Sequence, residues 1–262
     1  MYNDDLFEGA TPYYRRFRPD YPAELLAALN GRLQSLENRR VLDLGCGTGL
    51  LGRPIAAFAT EVVCVDPDPE MLKEAESSAS KDGVQNIQFV RGRLADLRAD
   101  YGVFDAVTMG QSFHYMDREG TLSSLNDQVS QHGFIAIVDK ERTASEPGDW
   151  FQPLWDFVDA WNGGKMAAGK QGTRQPLPYP HIETLRASAF SRVETLKFDY
   201  EWVWNIEALT GYVLSTSRAC PGVLGDRKDQ FISGLDRFLR EFSDAGIFHE
   251  RGYVVADIAV RP

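Results

Sequence analysis

Glycines follow a short apolar strand in a pattern that suits a ligand-binding turn. Residues 40–44 are mostly apolar and lead into Gly45-Cys46-Gly47-Thr48-Gly49. Glycine permits unusual backbone dihedrals and lets a ligand approach the main chain with no Cβ in the way. The predicted helix that follows offers unpaired N–H groups and the positive end of its dipole. The segment therefore predicts a binding site at the end of a strand.

Two carboxylates accompany this turn. Asp66 ends the next apolar strand and lies about 20 residues after Gly45, where a carboxylate can accept hydrogen bonds from both hydroxyls of a ribose. Asp43 comes just before the turn, where its charge suits an ammonium group better than a pyrophosphate. The two strand ends are predicted to hold one adenosine.

The glycine pattern alone leaves alternatives open. Gly47-x-Gly49-x-x-Gly52 also satisfies the dinucleotide-binding fingerprint, and a glycine turn can be purely structural. Asp43 and the form Gly-Cys-Gly-Thr-Gly favour S-adenosylmethionine over both.

These residues must be positioned by alternating strands and helices. Apolar strands separated by helices predict a parallel sheet covered on both faces, in the α/β class. The predicted strands are 40–44, 61–65, 87–90, 104–109, 133–139, 192–204 and 253–260, the last an antiparallel edge strand. The predicted helices are 50–59, 69–80 with Asp68 as N-cap, 122–131, 182–189, 206–216 and 228–245. We therefore expect a Rossmann-like, seven-stranded, mostly parallel sheet.

The chain divides into four predicted segments. Residues 1–30 form an N-terminal cap helix region, and residues 31–142 form the cofactor-binding core. An aromatic helix and loop over 143–180, with Trp150, Trp155 and Trp161, form a substrate-cap insertion after the fifth strand. Residues 181–262 complete the core and add a helical lid.

Composition excludes several classes of protein. The 262 residues carry a net charge of −10, which repels phosphate backbones and argues against a nucleic-acid partner. The N-terminus lacks the apolar core of a signal peptide, and no apolar run approaches the ~20 residues of a membrane span. Cys46, Cys64 and Cys220 have no metal-ligand spacing and are expected to pack, so we predict no metal and a cytoplasmic location.

Further segments give the sequence a family resemblance. It resembles the class I S-adenosylmethionine-dependent methyltransferases, and within them the branch of trans-aconitate and cantharidin-type small-molecule methyltransferases. The similar segments are the glycine turn, residues 14–22, residues 65–67 with Met71-Leu72, and residues 111–117. Weaker similarity is found around Trp204, at Gly211-Tyr212 and in the final strand.

The resemblance implies roles for individual residues toward the cofactor. Asp43, Gly45, Cys46 and Gly47 would line its methionine end, and Asp66 would hold the ribose. Pro67 and Met71 would cover the adenine, with Arg93 and Leu94 at its edge, where many relatives have Asp-Ala. Gln111 would lie near the sulfonium, and Tyr14 and Arg18 would close over the carboxylate.

The acceptor side is less determined. His114 follows the fourth strand and is the candidate base or substrate-positioning residue. We assign further substrate contacts to Tyr13, Tyr115, Trp150 and Trp155, and expect His181 and His249 to be surface residues.

The predicted reaction is methyl transfer from S-adenosylmethionine to an oxygen or nitrogen of a small molecule, with S-adenosylhomocysteine as product. A role in natural-product biosynthesis is expected by analogy with the branch, and the protein is expected to be a monomer or homodimer. The alternatives are a cyclisation or decarboxylation that uses the same cofactor, a non-catalytic ligand-binding protein, and a dehydrogenase.

Overall fold

Seven strands form one sheet in the computed structural model, which describes residues 5–97, 101–143, 149–169, 172–173 and 181–262. The sheet order is β3-β2-β1-β4-β5-β9-β8. Its strands are β1 Arg40–Leu44, β2 Glu61–Asp66, β3 Ile87–Arg91, β4 Phe104–Gly110, β5 Val129–Arg142, β8 Arg192–Asn205 and β9 Ile247–Val260. A separate two-stranded ribbon contains β6 Ala167–Ala168 and β7 Gly172–Thr173. The predicted seven-stranded Rossmann-like sheet is confirmed.

The strand directions make the sheet mostly parallel. The neighbours from β3 through β5 pair in parallel, so the carboxyl ends of β1, β2, β4 and β5 lie at one edge. Strand β9 is antiparallel to both β5 and β8. The predicted antiparallel direction of the last strand is confirmed, but its predicted edge position is wrong. It pairs on both sides because β8 covers it, and β8 is the edge strand on this side of the sheet.

Helices cover both faces. They are α1 Thr11–Phe17, α2 Ala23–Leu33, α3 Gly52–Ile55, α4 Pro69–Lys81, α5 Arg118–Leu125, α6 Phe151–Trp161, α7 His181–Arg186, α8 Ile206–Leu214, α9 Pro221–Leu224 and α10 Lys228–Arg240. Leu29 and Ile55 pack on one face of the sheet, and Leu122 and Leu185 pack on the other. Asp68 is the N-cap of α4, as predicted, and accepts from the N–H groups of Glu70 and Met71.

Several predicted helices are shorter in the structure. The predicted helix over 50–59 contains only the four residues of α3, because Pro54 limits it and turns surround it. The predicted helix over 122–131 ends at Leu125, since β5 begins at Val129.

The division into four segments stays a prediction, although two of its boundaries can be compared with elements. The boundary after residue 142 coincides with the end of β5. The boundary at residue 30 falls inside α2, whose Leu25, Leu29 and Leu33 belong to the core on the sheet. Residues 144–148, 170–171 and 174–180 of the predicted insertion lie outside the described residues.

A helical cap lies beside the carboxyl edge of the sheet. It has its own apolar core, which joins residues of α6, α8, α9 and α10 to the strands β8 and β9. Helix α1 packs against α8 so closely that a Cβ on Gly211 would lie 2.1 Å from the Phe17 ring. None of the described helices combines the length and apolarity of a membrane span.

Candidate active site

The glycine turn is held against the end of β2. The N–H groups of Gly45 and Cys46 donate to the carbonyl of Val65 at 2.8 and 3.1 Å. Gly45, Gly47 and Gly49 all have positive φ, at 71°, 55° and 76°, as a turn free of side chains requires. The first two strand ends therefore meet as the spacing predicted.

Gly45 lies where a side chain has no room. A Cβ there would approach the Ser112 Cβ to 2.5 Å, and the Ser112 hydroxyl is fixed by donating to the carbonyl of Leu44 at 2.7 Å. We expect Gly45→Ala to lower the midpoint of urea unfolding strongly, by a clash added to the ~1 kcal/mol cost of a positive φ. Gly83→Ala is the matched control, since Gly83 has φ 70° and nothing within 4 Å of the added Cβ. Equal losses in the two variants would contradict the clash.

Asp66 is held by main-chain donors on both sides. Its Oδ2 accepts from Gly47 N at 2.8 Å and its Oδ1 accepts from Asp68 N at 2.9 Å. Burial raises the pKa of this carboxyl to about 6, although the two N–H groups act to lower it. Each carboxylate oxygen can accept about two hydrogen bonds, so one position remains on each. Two adjacent ribose hydroxyls match that requirement.

Asp43 lies beneath the turn, and not at the surface of the cleft. It is 1% exposed, its Oδ1 accepts from the Thr108 hydroxyl at 2.8 Å, and its carboxyl lies against the Cα of Gly52. The contact of Asp43 with the ammonium group of the cofactor stays a prediction. Burial raises the pKa of Asp43 to about 7, so an added positive charge nearby would favour its ionised form.

Because of this pKa, the measured heat of cofactor binding is expected to depend on the ionisation enthalpy of the buffer. A ligand that carries a sulfonium and an ammonium should lower the pKa of Asp43 and release a fraction of a proton near pH 7. S-adenosylmethionine, which has the sulfonium charge, should release more protons than S-adenosylhomocysteine. Calorimetry at pH 7 in buffers with different ionisation enthalpies measures the release. Asp43→Asn is expected to abolish the difference between the two ligands, and an unchanged difference would contradict this assignment.

The N-terminal segment closes one side of the cleft. The ring of Tyr14 faces Gly47, since a Cβ there would lie 3.9 Å from the Tyr14 ring. The Arg18 guanidinium packs over the rings of Tyr14 and Tyr212, at 4.6 and 4.9 Å, and donates to the Ser215 hydroxyl at 2.8 Å. Tyr14 thus lies beside the glycine turn and Arg18 packs on Tyr14, and their contact with the cofactor carboxylate stays a prediction.

Gln111 lies at the end of β4 with φ 52°, a conformation rarely adopted by non-glycine residues. Its N–H donates to the carbonyl of Val138 at 2.8 Å, which fixes the crossing from β4 to the residues beyond. Strained backbone of this kind concentrates at functional sites.

The cleft contains residues to which the sequence analysis gave no role in the site. Lys140, Trp202 and Tyr212 line it together with Tyr21 and Leu50. The Lys140 ammonium donates to the Tyr212 hydroxyl at 3.1 Å and lies 4.4 Å from the centre of the Trp202 ring. Asp139 and Lys140 follow the apolar part of the fifth strand, and this pair of charged residues was the sequence signal that could have placed them at the site.

His114 follows β4, as predicted. His181 is mostly buried, so the expectation that it is a surface residue is wrong. The carboxylate of Asp139 lies between them, with Oδ1 3.8 Å from His114 Nδ1 and Oδ2 3.0 Å from His181 Nε2. The side chain of His181 is only 14% exposed because α7 brings it against Phe113 and Asp139. His249 is at the surface, with 62% of its side chain exposed, as predicted. Tyr115 lies near the Ser217 hydroxyl at 3.2 Å.

The residues predicted around the adenine vary in exposure. Pro67 is half-buried beside Asp66, whereas Met71 is buried under the N-terminal segment with Ala10 and Cys220. Leu94 is buried and Arg93 is exposed. Asp96 accepts from Arg93 N at 2.8 Å, so its carboxylate caps the turn after β3. The adenine contacts of these residues stay predictions.

The structure does not bring Trp150 and Trp155 to the cleft. Both are buried in the core of the helical cap, where the Trp150 indole donates to the carbonyl of His249 at 3.3 Å and Trp155 packs behind Tyr212. Tyr13 packs at the edge of the same cap core. Large apolar rings in an amphipathic helix are used here to hold the cap together. Cys46 and Cys64 are buried and unpaired, as expected for packing residues.

The arrangement is compatible with S-adenosylmethionine. Asp66 retains one acceptor position on each oxygen, the glycine turn presents bare main chain, and Tyr14, which faces Gly47, lines a cleft together with Arg18 and Gln111. Fold and turn together match what the resemblance to the class I S-adenosylmethionine-dependent methyltransferases implied.

Comparison with known proteins agrees with this class. A family model described as a methyltransferase domain matches residues 41–133. An uncharacterized methyltransferase of Schizosaccharomyces pombe is 28% identical over 58% of this chain and 59% of its own length. A ubiquinone biosynthesis O-methyltransferase of Azorhizobium caulinodans is 33% identical over 42% of this chain and 44% of its own length. The chain thus covers less than two thirds of the length of these relatives.

Solved structures show the same fold. A methyltransferase from Thiobacillus denitrificans, solved with S-adenosyl-L-homocysteine, superposes over 100% of both chains with a TM-score of 0.56 at 15% identity. The chain thus contains a segment that matches a methyltransferase domain, and it shares the fold of this solved structure.

Proposed function

We propose that this protein transfers a methyl group from S-adenosylmethionine to an oxygen or nitrogen of a small molecule. The observation that carries the proposal is the carboxylate of Asp66, bonded to Gly47 N at 2.8 Å and able to accept two further hydroxyl donors. A net charge of −10 supports a small acceptor over a nucleic acid.

The cofactor supplies an activated methyl group on a positively charged sulfur. The protein's own residues then have three tasks. Asp66 and the glycine turn hold the nucleoside, and Tyr14 and Arg18 close the cleft from the N-terminal side. Gln111 marks the crossing from the cofactor to the acceptor. Alignment of two reactants in this way can lower a barrier by roughly 7–11 kcal/mol.

The acceptor is proposed to be compact and to approach from the His114 side of the β4 end. Trp202, Tyr212, Lys140 and Arg18 line the neighbouring cleft, where the two cations pack against the aromatic rings. A role in natural-product modification follows by analogy with the branch that the sequence resembles.

Calorimetry and product analysis test the proposal. The purified chain is expected to bind S-adenosylhomocysteine, and to release it from S-adenosylmethionine when a library of small alcohols, phenols, amines and acids is supplied. Mass spectrometry should find products heavier by one methylene unit. A rearranged or decarboxylated product without S-adenosylhomocysteine would replace methyl transfer by another reaction. Failure to bind either form of the cofactor would overturn the proposal.

A further inference from the structure

Two histidines and one carboxylate form a cluster at the carboxyl edge of the sheet. Asp139 ends the apolar part of β5, His114 follows β4, and His181 begins α7. We call these three residues the Asp139 cluster. Their side chains are 32%, 12% and 14% exposed, so the cluster lies mostly inside the protein and Asp139 is its most exposed member. It was brought together by three separate elements.

The surroundings of His181 determine the direction of its hydrogen bonds. Arg118 Nη1 lies 3.5 Å from His181 Nδ1, and a guanidinium can only donate. We therefore assign Nδ1 as the acceptor and place the proton on Nε2, which lies 3.0 Å from Asp139 Oδ2 and donates to it. His181 thus fixes one carboxylate oxygen and leaves the other directed at His114.

Asp139 stays ionised in this position. Its burial opposes ionisation, but the hydrogen bonds and charges of His114 and His181 hold the pKa of its carboxyl well below the usual value. A carboxylate acts only as an acceptor, so the facing nitrogen of His114, Nδ1, should carry a proton. The separation of 3.8 Å is longer than a hydrogen bond, and catalytic contacts of this kind commonly tighten when substrate binds.

The same three side chains also form a possible metal-ligand set, with their ligand atoms within 4.8 Å of one another. Arg118 argues against a metal. A histidine that binds a metal usually donates its second N–H to an acceptor, whereas the second nitrogen of His181 faces a guanidinium. The cluster therefore fits proton transfer better than metal binding.

We propose that the Asp139 cluster is a proton-accepting centre, in which His181 and Asp139 position His114 as the general base for a hydroxyl or phenol acceptor. The inference rests on the proposed methyl transfer and deepens it. His114 Nε2 takes the proton of the acceptor O–H, the oxygen forms the bond to the methyl carbon, and the carbon–sulfur electron pair stays on sulfur. The proton on His114 then passes to solvent. A carboxylate acceptor would need no such base, so the cluster indicates an acceptor that is protonated at neutral pH.

The tautomer of His114 can be measured without any acceptor. Long-range proton–nitrogen spectra of the chain labelled at its four histidines separate the two tautomers, and His114→Gln and His181→Gln assign the signals. We expect His114 with the proton on Nδ1 and His181 with the proton on Nε2. Asp139→Asn should disturb both, whereas the exposed His249→Gln should leave them unchanged. His114 protonated on Nε2, or insensitive to Asp139→Asn, would overturn the proposal.

Kinetics and metal addition complete the test. With small phenols and alcohols as acceptors, His114→Gln and Asp139→Asn should lower kcat by about 10²- to 10⁴-fold with little change in KM. Turnover confined to carboxylic acids, or Zn²⁺ that binds in a 1:1 ratio and requires His181, would overturn it. Calorimetry with S-adenosylhomocysteine distinguishes failure of the proposed function from failure of the inference about the Asp139 cluster. If the wild-type chain does not bind it, the proposed function fails. If binding is intact and the tautomer is wrong, only the present inference fails.

Discussion

Asp66→Asn is expected to weaken binding of S-adenosylhomocysteine by about 10- to 100-fold, because each hydrogen bond to a charged group contributes about 1.5–3 kcal/mol. The substitution removes the negative charge and replaces one acceptor oxygen by a donor, so two hydroxyls can no longer be held together. Isothermal calorimetry measures the loss. The measured loss of affinity also includes the effect on the main-chain contacts, since either Gly47 N or Asp68 N must lose its acceptor.

Asp68→Asn is the matched control for this variant. Asp68 is the neighbouring carboxylate and accepts from Glu70 N at 2.9 Å, a cap that asparagine makes equally well. Its affinity should stay within about threefold of wild type. The wild-type affinity itself should fall as the pH is lowered through about 6, where Asp66 takes up a proton. Equal affinities for wild type and Asp66→Asn at pH 8 would remove Asp66 from the site.

Glu250→Ala is expected to cause the largest loss of stability, about 3–5 kcal/mol in the free energy of unfolding. Glu250 is 1% exposed and accepts from three donors: Lys140 Nζ at 3.0 Å, the Tyr200 hydroxyl at 3.0 Å and the Trp204 indole at 2.9 Å. Its removal leaves a mostly buried ammonium without its ion pair and two buried donors without a partner. Urea unfolding measures the effect.

A surface glutamate supplies the comparison. Glu201 pairs with Arg251 at 2.8 Å, with half of its side chain exposed, so Glu201→Ala should leave the free energy of unfolding close to the wild-type value. Glu250→Gln keeps the shape and one acceptor and should fall between the two, which protects the test if the alanine variant does not fold. Similar stabilities for Glu250→Gln and Glu201→Ala would show that the buried pair contributes little. Glu250→Ala should also make the side chains of Lys140 and Tyr212 at the cleft more mobile.

The cofactor half of the site was predictable because its signals are local. A strand, a glycine turn and a helix N-terminus follow one another within residues 40–55, and Asp66 ends the very next strand. The residues that form the strand, the turn and the helix N-terminus are consecutive in the sequence, so each can be recognised without knowledge of distant contacts. The alternation of apolar segments also predicted the sheet, since parallel strands buried on both faces have few polar positions.

The acceptor half was not predictable, because it depends on contacts between distant segments. His181 lies far along the chain from His114, and only the packing of α7 brings the two to Asp139. Glu250 sits in a strand that alternates like an edge strand, yet β8 covers it. Trp150 and Trp155 show the converse error, since aromatic residue type alone cannot distinguish a substrate wall from the core of a cap.

Asp139 and Lys140 are consecutive residues near the carboxyl end of β5, and consecutive side chains of a strand point to opposite sides of the sheet. The anion joins the two histidines, while the cation joins Glu250 and the aromatic rings of the cap. Asp139 and Lys140 therefore belong to two different groups of residues. Asp139 belongs to the cluster that is proposed to move a proton, and Lys140 belongs to the contacts that hold the helical cap. Relatives could exchange one member for a new acceptor without rebuilding the other, and a single-residue slip of β5 against β9 would ruin both at once.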